Sequence, residues 1–595
     1  MRRRAADILF ETLNACGIDT CFAVTGGGAM HLDNALALNK GIKTYFNHHE
    51  QASAMAAEGY ARTCGRPAVV CVTSGPGAAN VVNGVIGAYV DSIPMVVVSG
   101  QVRTDISVHS SGLPLRYRGV QEFDIITSAQ NMTKYAVTIQ DVRDVRAEAL
   151  KAYDIAMHGR RGPVWLEVPL DVQAGLVDEA DLRDYESNLE NLVPNDEDVV
   201  SVFAELSAAK RPCLLAGSGI VSGDARDEFA KLAGRVGIPI VGQSQVADVL
   251  GNEHENFYGL SGTSGPRTGN YILQNADLIV ALADSLSYRQ TGFLQEAFAP
   301  NARIIMVDAD ENEPKKPGLH VGRVVKADIR AFLEAANRLG CTAMCPERWK
   351  AYCDKVRDTF DPFEGKEGHP DDGRVSQYRF WQAYDLLSGD DDVVALGNNT
   401  AICAKLQVGK RTDGQRVIAN YACGSMGYDL PAAIGACIAS GRRDTMCATG
   451  DGSIMMNLQE LQTIRQNDLP IKVVVFSNDG YGTIRMTSDN FFNSLYFGCS
   501  KESGLSFPPF DKVADTFGLP FVHCEKNGEV EEKLEELLAI DGPAFMLVDE
   551  LYRDPLIPKL MSKQDAEGHM ISPKLEDLYP FVSDELATEL MPEWE

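Results

Sequence analysis

No CxxC pair occurs in the 595 residues, and the fourteen cysteines are scattered, several of them inside apolar runs (Cys71, Cys213, Cys447). The closest pairs, Cys16/Cys21 and Cys341/Cys345, have no further ligands at zinc spacing, so the cysteines read as reduced core residues of a cytoplasmic protein. No apolar run approaches the ~20 residues of a membrane span. Met1-Arg-Arg-Arg leads into the amphipathic Ala5–Leu13, which starts a helix and is not a signal peptide. Basic residues are few: 55 Lys and Arg against 83 Asp and Glu give a net charge of −28. That balance argues against nucleic acid and anionic membranes as partners. There is no short-period repeat and no low-complexity tract. What remains is the composition of a soluble globular protein, too long for one hydrophobic core.

Strand and helix patterns alternate along most of the chain, which predicts an α/β fold of parallel sheets covered on both faces. Three doubly wound units are expected at 1–180, 190–345 and 375–550, followed by a C-terminal tail at 551–595. In the first unit the expected strands are Thr20–Val24, Thr44–Phe46, Ala68–Thr73, Pro94–Ser99 and Gly162–Pro169. The second carries Pro212–Ala216, Ile238–Val241, Leu278–Ala283 and Arg303–Val307, and the third Val393–Leu396, Met446–Thr449, Ile471–Phe476 and Ala544–Val548. The acidic 178–198 and the Pro-containing stretch near 359–375 read as linkers.

The most informative stretch is 446–482. A buried strand ends at Thr449, Gly450-Asp451-Gly452-Ser453 makes a sharp turn, an amphipathic helix follows, and a second apolar strand ends at Asn478-Asp479-Gly480. Both turns lie at carboxyl ends of strands, where open α/β sheets leave a crevice for ligands. Glycines let backbone N–H groups approach phosphate, and the following helix offers its positive amino end. Asp451, the Asn478 amide and the Gly480 carbonyl are hard oxygen donors suited to Mg²⁺. A bare Gly-Asp-Gly is only a turn, but Asn478, 28 positions after Gly450 and beyond a helix and a strand, makes the pattern specific. It resembles the metal–diphosphate motif of thiamine-diphosphate (ThDP) enzymes.

A second set of motifs extends the resemblance. His48-His49-Glu50-Gln51 opens a helix of small residues, Ser74-Gly75-Pro76-Gly77 opens another, and Asp91-Ser92-Ile93-Pro94 follows. With Gly424-Ser425-Met426-Gly427-Tyr428 and Leu430-Pro431-Ala432-Ala433, these are similar to the acetolactate synthase family, in the same order and over nearly the whole chain.

The resemblance implies a pyrimidine-binding first unit, a central Rossmann-like unit and a diphosphate-binding third unit. The active site would lie at a subunit interface, in a homodimer or homotetramer. Glu50 falls on the glutamate that hydrogen-bonds the cofactor's pyrimidine, and Gln121 on a glutamine of the substrate pocket, with Val120 where the family has phenylalanine. Cofactor-binding positions implied are Gly27, Pro76, Asn80, Asn398, Asn399, Gly424, Met426, Gly450, Asp451, Gly452, Ser453, Asn478, Gly480 and Tyr481. The metal falls to Asp451, Asn478 and Gly480. Substrate candidates are His49, Lys134 and Arg485. In the family the central unit carries FAD, and whether this chain does so is left open by Ser261 and Ser287-Tyr288, which replace more characteristic residues.

The activity implied is decarboxylation of a 2-oxo acid, pyruvate foremost, with ligation of the resulting C2 carbanion/enamine to a carbonyl acceptor. Thr487 stands where synthases carry a substrate-facing tryptophan. This keeps alternatives open: a carboligase acting on a keto-sugar nucleotide, a C–C hydrolase of cyclic diketones, or a simple decarboxylase. The tail is expected either as a lid, closed through Arg553, Lys559 and Lys563, or as a packing arm.

Overall fold

The computed structural model describes residues 2–363, 366, 373–398, 400–412, 414–564, 567 and 569–594. Three six-stranded sheets succeed one another along the chain, and every neighbouring pair within them is parallel. The first runs, edge to edge, Lys43–Phe46, Thr20–Ala23, Val69–Val72, Met95–Gln101, Pro163–Pro169, Tyr135–Thr138. The third runs Arg416–Ile418, Val393–Leu396, Thr445–Gly450, Ile471–Ser477, Ala544–Asp549, Phe521–Cys524. Numbered in chain order, both sheets read 2-1-3-4-6-5. The middle sheet is Phe257–Ser261, Ile240–Gln243, Pro212–Ala216, Leu278–Leu282, Arg303–Asp308, Val321–Lys326, in the dinucleotide-fold order 3-2-1-4-5-6.

Strand order determines where ligands can sit. In the first sheet the reversal falls between Thr20–Ala23 and Val69–Val72, whose carboxyl ends lead into the Gly26–Gly28 and Ser74–Gly77 turns. In the third it falls between Val393–Leu396 and Thr445–Gly450, leading into Gly397-Asn398 and Gly450–Ser453. The glycine turns singled out in the sequence thus occupy the two switch points.

Helix Glu50–Cys64 of the first unit packs directly on helix Asp429–Ala439 of the third. Both are rich in Ala and Gly, so their backbones come close. A Cβ on Gly59 would stand 2.3 Å from the Ala432 carbonyl oxygen, and one on Gly435 would stand 1.8 Å from that of Ala56. One hydrophobic cluster runs continuously from the first sheet through this seam into the third.

Several expectations are corrected. Ahead of the helix, which starts at Ala5 as expected, Arg2–Arg4 forms a strand antiparallel to Leu176–Asp178 that the sequence did not announce. The expected linker at 178–198 is therefore ordered at both ends, its latter part opening helix Asp196–Ala208 under an Asn195 cap. The single helix expected after Gly452 is two, Asp451–Ile454 and Glu460–Gln466. The tail leaves along the third unit, where Asp554 accepts the Gln377 N–H at 2.6 Å, and its later part packs on the middle unit. Asn270 donates to the Leu575 carbonyl at 2.9 Å and Gln274 to Glu576 at 2.6 Å, while Trp594 stacks edge-on against Trp349 and Tyr352. Arg553 pairs with Asp489 and Lys563 with Asp577. Among the described residues no helix is long and apolar enough to cross a membrane.

Candidate active site

The first half of the site is built around Glu50. His49 caps the helix, its Nδ1 accepting the Gln51 N–H at 3.2 Å, and Glu50 follows in the first turn, where the helix dipole favours an anion. Asn80, at the end of the short helix opened by Pro76, donates from Nδ2 to Glu50 Oε2 at 2.9 Å. Gly77 leaves Oε1 open, since a Cβ there would lie 3.4 Å from that oxygen and 2.7 Å from Thr73 Cγ2. Gly75, at φ +57°, lets the 118–124 loop approach: a Cβ on it would sit 2.2 Å from the Gln121 carbonyl oxygen. Gln121 has φ +61° and an exposed side chain. Its loop is braced by Glu122, whose carboxylate accepts the N–H groups of Arg118 at 2.9 Å, Gly119 at 2.8 Å and Val108. Gly27 opens the facing turn, where the Gly28 N–H donates to Thr73 Oγ1 at 3.0 Å. Gly27, Pro76, Asn80 and Gln121 are all exposed, so this half of the site faces outward.

The second half is buried more deeply. Asp451 Oδ1 accepts the Gly452 N–H at 2.7 Å, and its Oδ2 accepts Ser477 Oγ and the Gly480 N–H, each at 3.1 Å. Burial pushes its pKa up to about 6, since the anion has lost water and gained only neutral donors of this kind. A cation beside Asp451 would restore the anion, and Asn478 with the Gly480 carbonyl completes a donor set fit for Mg²⁺. Gly480 must be glycine: its φ is +157°, and a Cβ would stand 2.0 Å from the Cys499 carbonyl oxygen. Gly452 likewise lies under the Tyr481 ring, 2.1 Å from where its Cβ would be. Ser453 Oγ donates to Asp429 at 2.7 Å and accepts the Gly427 N–H at 2.8 Å, tying the diphosphate turn to the segment that carries Gly424 and Met426. The Asn398 amide donates to the Gly424 carbonyl. Gly450 precedes the turn in extended backbone, and Asn399 lies outside the described residues.

The three substrate candidates differ in their contacts. His49 is half-exposed beside Glu50 and caps the helix through Nδ1. Lys134 is not at a pocket mouth: its ammonium donates to the carbonyls of Ile155 and, at 2.6 Å, His158, and burial lowers its pKa to about 8. Arg485 is buried, with its guanidinium on Asn478 and on the Cys499 carbonyl rather than toward a substrate.

Two carboxylates were not singled out in the sequence. Asp429 is fully buried and accepts from Thr449 at 2.8 Å and from Ser453, and its only sequence signal was its place inside the Tyr428–Pro431 motif. Glu550 accepts from Asn478 at 2.9 Å across 72 positions of chain, and no local pattern announces it.

Between the first and middle units lies a cavity of about 240 Å³, at the switch point of the middle sheet, lined among others by Arg160, Ser218, Arg289 and Asp308. Gln290, also in its lining, has Oε1 buried without a hydrogen-bond partner.

The chain matches the thiamine pyrophosphate enzyme N-terminal TPP-binding domain over residues 3–126, the central domain over 199–336 and the C-terminal TPP-binding domain over 395–548. It is 30% identical to the large subunit of acetolactate synthase isozyme 2 from Escherichia coli (strain K12), over 93% of this chain and 97% of that protein. It is 31% identical to a probable chloroplastic acetolactate synthase 2 from Oryza sativa subsp. japonica, over 94% of this chain and 85% of that protein. Each match falls in one of the three sheet units, the first ending before strands Tyr135–Thr138 and Pro163–Pro169, and the two halves of the site lie in the two units matched as TPP-binding domains. The chain belongs to the acetolactate synthase family of thiamine pyrophosphate enzymes.

Proposed function

We propose that this protein decarboxylates pyruvate and joins the two-carbon unit to a second carbonyl compound, as an acetolactate synthase. The observation that carries the reading is the paired crevice. Two sheets of identical strand order each open glycine turns at the switch point, with Glu50 beyond the neighbouring edge strand of one and Asp451, Asn478 and Gly480 at strand ends of the other. ThDP, when bound with Mg²⁺, supplies the carbon nucleophile and electron sink of the reaction.

The protein's own residues bind and orient. Asp451, Asn478 and the Gly480 carbonyl hold the cation, while the N–H groups of the Gly450–Ser453 turn receive the diphosphate. Asn80 donates to Glu50 Oε2, and Oε1 would be the oxygen that hydrogen-bonds the pyrimidine and favours its imino tautomer. Met426 supports the cofactor, and Gln121 faces substrate from its braced loop.

The units extend over 1–180, 190–345 and 375–550, with the arm at 551–595. We place the two halves of each site on different subunits, in a dimer or tetramer. Support comes from the outward-facing Glu50 crevice and from apolar side chains bared on single chains: Val120 is 84% exposed and Phe497 90%. The unpaired cysteines support a reducing compartment, the cytoplasm. The central cavity, with the partnerless buried Gln290 Oε1 in its lining, supports a nucleotide there, FAD being the family's choice. A flavin absorbance band released by acid from the purified protein decides this.

The test of function is ¹³C NMR of the protein with ThDP, Mg²⁺ and labelled pyruvate. Labelled acetolactate is the expected product. Acetaldehyde alone, or pyruvate consumption only with a keto-sugar nucleotide present, would replace this reading by a decarboxylase or a sugar-branching ligase. Untouched pyruvate with turnover of a cyclic diketone would make the protein a C–C hydrolase.

A further inference from the structure

An asparagine ligates a cation through Oδ1 only, yet its two amide ends are nearly the same size, and nothing in the residue itself chooses between them. At Asn478 the neighbours choose. Its Nδ2 donates to Glu550 Oε2 at 2.9 Å, and its Oδ1 accepts from Arg485 at 2.7 Å. The same guanidinium donates to the Asn478 carbonyl at 2.8 Å and to the Cys499 carbonyl at 3.3 Å, so it is held in place. Glu550 is 1% exposed, and its Oε1 accepts from Gln377 Nε2 at 2.8 Å. Gln377 Nε2 in turn donates to Thr400 Oγ1 at 2.7 Å. A carboxylate offers acceptors alone and a guanidinium donors alone. An amide between them has one satisfied orientation.

The geometry points to Glu550, with Arg485 opposite it, as the positioning residue that turns the oxygen of Asn478, and not its NH₂, toward the bound cation. Oδ1 has two lone pairs. Arg485 takes one, and the other faces the metal. Partners of this kind, one step behind the ligands, typically change metal affinity about 10–100-fold. The inference deepens the function proposed above, resting on Asp451, Asn478 and Gly480 as the metal set.

The experiment titrates Mn²⁺ into the ThDP-loaded full-length protein and counts free Mn²⁺ by electron paramagnetic resonance, with the melting temperature as a check on folding. Asp451→Ala tests the metal set itself: unchanged Mn²⁺ affinity there overturns the site, whatever Glu550 does. With the site sound, Glu550→Gln is expected to raise the Mn²⁺ Kd about 10–100-fold, because the introduced amide must turn its NH₂ toward either Gln377 or Asn478. In an Asn478→Asp background the two ligand oxygens are equivalent and orientation loses its meaning. There Glu550→Gln should leave the Kd unchanged or lower it, by removing an acid facing an acid. A Kd within twofold of wild type for Glu550→Gln, or equal weakening in both backgrounds, overturns the orienting role. The exchange Gln377→Glu with Glu550→Gln gives Asn478 its acceptor back, through the carbonyl oxygen of the introduced amide. It should bind Mn²⁺ within about threefold of wild type, and this variant carries the test if Glu550→Gln alone does not fold. A Kd still tenfold above wild type in that exchange would also sink the proposal.

Discussion

Gly435→Ala is the substitution on which fold and site depend together. In the seam between helices Glu50–Cys64 and Asp429–Ala439 the added methyl would lie 1.8 Å from the Ala56 oxygen, 2.7 Å from its carbonyl carbon and 2.8 Å from the Tyr60 nitrogen. Ordinary contact begins near 3.4 Å, so the helices must part by about 1.6 Å. Each obstructing atom is backbone, so no side chain can swing aside. Overpacking costs about 1–3 kcal/mol where side chains can adjust; here the upper figure applies, about 3 kcal/mol. Alanine regains about 1 kcal/mol of helix propensity over glycine, leaving a net loss of about 2 kcal/mol, or a Tm lower by roughly 4–8 °C for units of this size.

Parting the helices also displaces the amino ends that carry Glu50 and Asp429, each within the half-site it brings to a subunit interface. A shift of about 1 Å can cost about 10²-fold in rate, so turnover should fall, by up to about that factor. Differential scanning calorimetry and steady-state pyruvate consumption measure the two effects. Gly528→Ala, whose Cβ meets nothing within 4 Å, is the control and should change neither. A Gly435→Ala protein with wild-type Tm and wild-type turnover would refute the reasoning, because it would mean the two helices are not in backbone contact.

Glu50→Gln should bind ThDP within about threefold of wild type yet lose about 10²–10⁴ in kcat, the usual contribution of a placed proton acceptor; full activity would remove Glu50 from the chemistry. Glu167 is buried between Gln101 at 2.8 Å and Thr138 at 2.7 Å, and burial pushes its pKa up to about 7 from 4.5. A carboxyl whose folded pKa is raised binds its proton more tightly when folded. Its stabilising share is therefore complete below pH 4.5 and lost as pH rises through 7, a change of about 3 kcal/mol. Relative to wild type, Glu167→Gln should gain stability between about pH 5 and pH 8 in urea unfolding, and a pH-independent difference would show that Glu167 ionises freely. Trp594 stacks on Trp349 and Tyr352 with ring centroids at 5.7 and 5.2 Å, lies within 4.9 Å of the Arg211 guanidinium, and donates to Asn275 at 3.0 Å. Trp594→Ala should cost about 3 kcal/mol and speed proteolysis within 551–595; an unchanged digestion rate would mean the arm is anchored elsewhere.

The central strands of all three sheets were legible in the sequence because each is buried on both faces and reads as a continuous apolar run, as in Val69–Val72 or Ile471–Ser477. Of the six edge strands only Lys43–Phe46 was anticipated. Tyr135–Thr138, Phe257–Ser261, Val321–Lys326, Arg416–Ile418 and Phe521–Cys524 carry polar or half-exposed residues, and their strand state is supplied by a neighbour already in the sheet.

The site divides the same way. Asp451, Gly452 and Gly480 were readable because their demands are local: a turn, a positive φ, a backbone donor at the end of a strand. The sequence by itself determined the α/β class and the glycine turns at the strand ends, since these depend on residues near one another in the chain. Only the tertiary structure decided that Lys134 is tied to carbonyls, that Arg485 grips Asn478 rather than a substrate, and that Glu550 accepts from an amide 72 positions away. A hydrogen bond acts over about 3 Å of space whatever the separation along the chain, and what lies within that distance is known only once the sheets and the arm are in place.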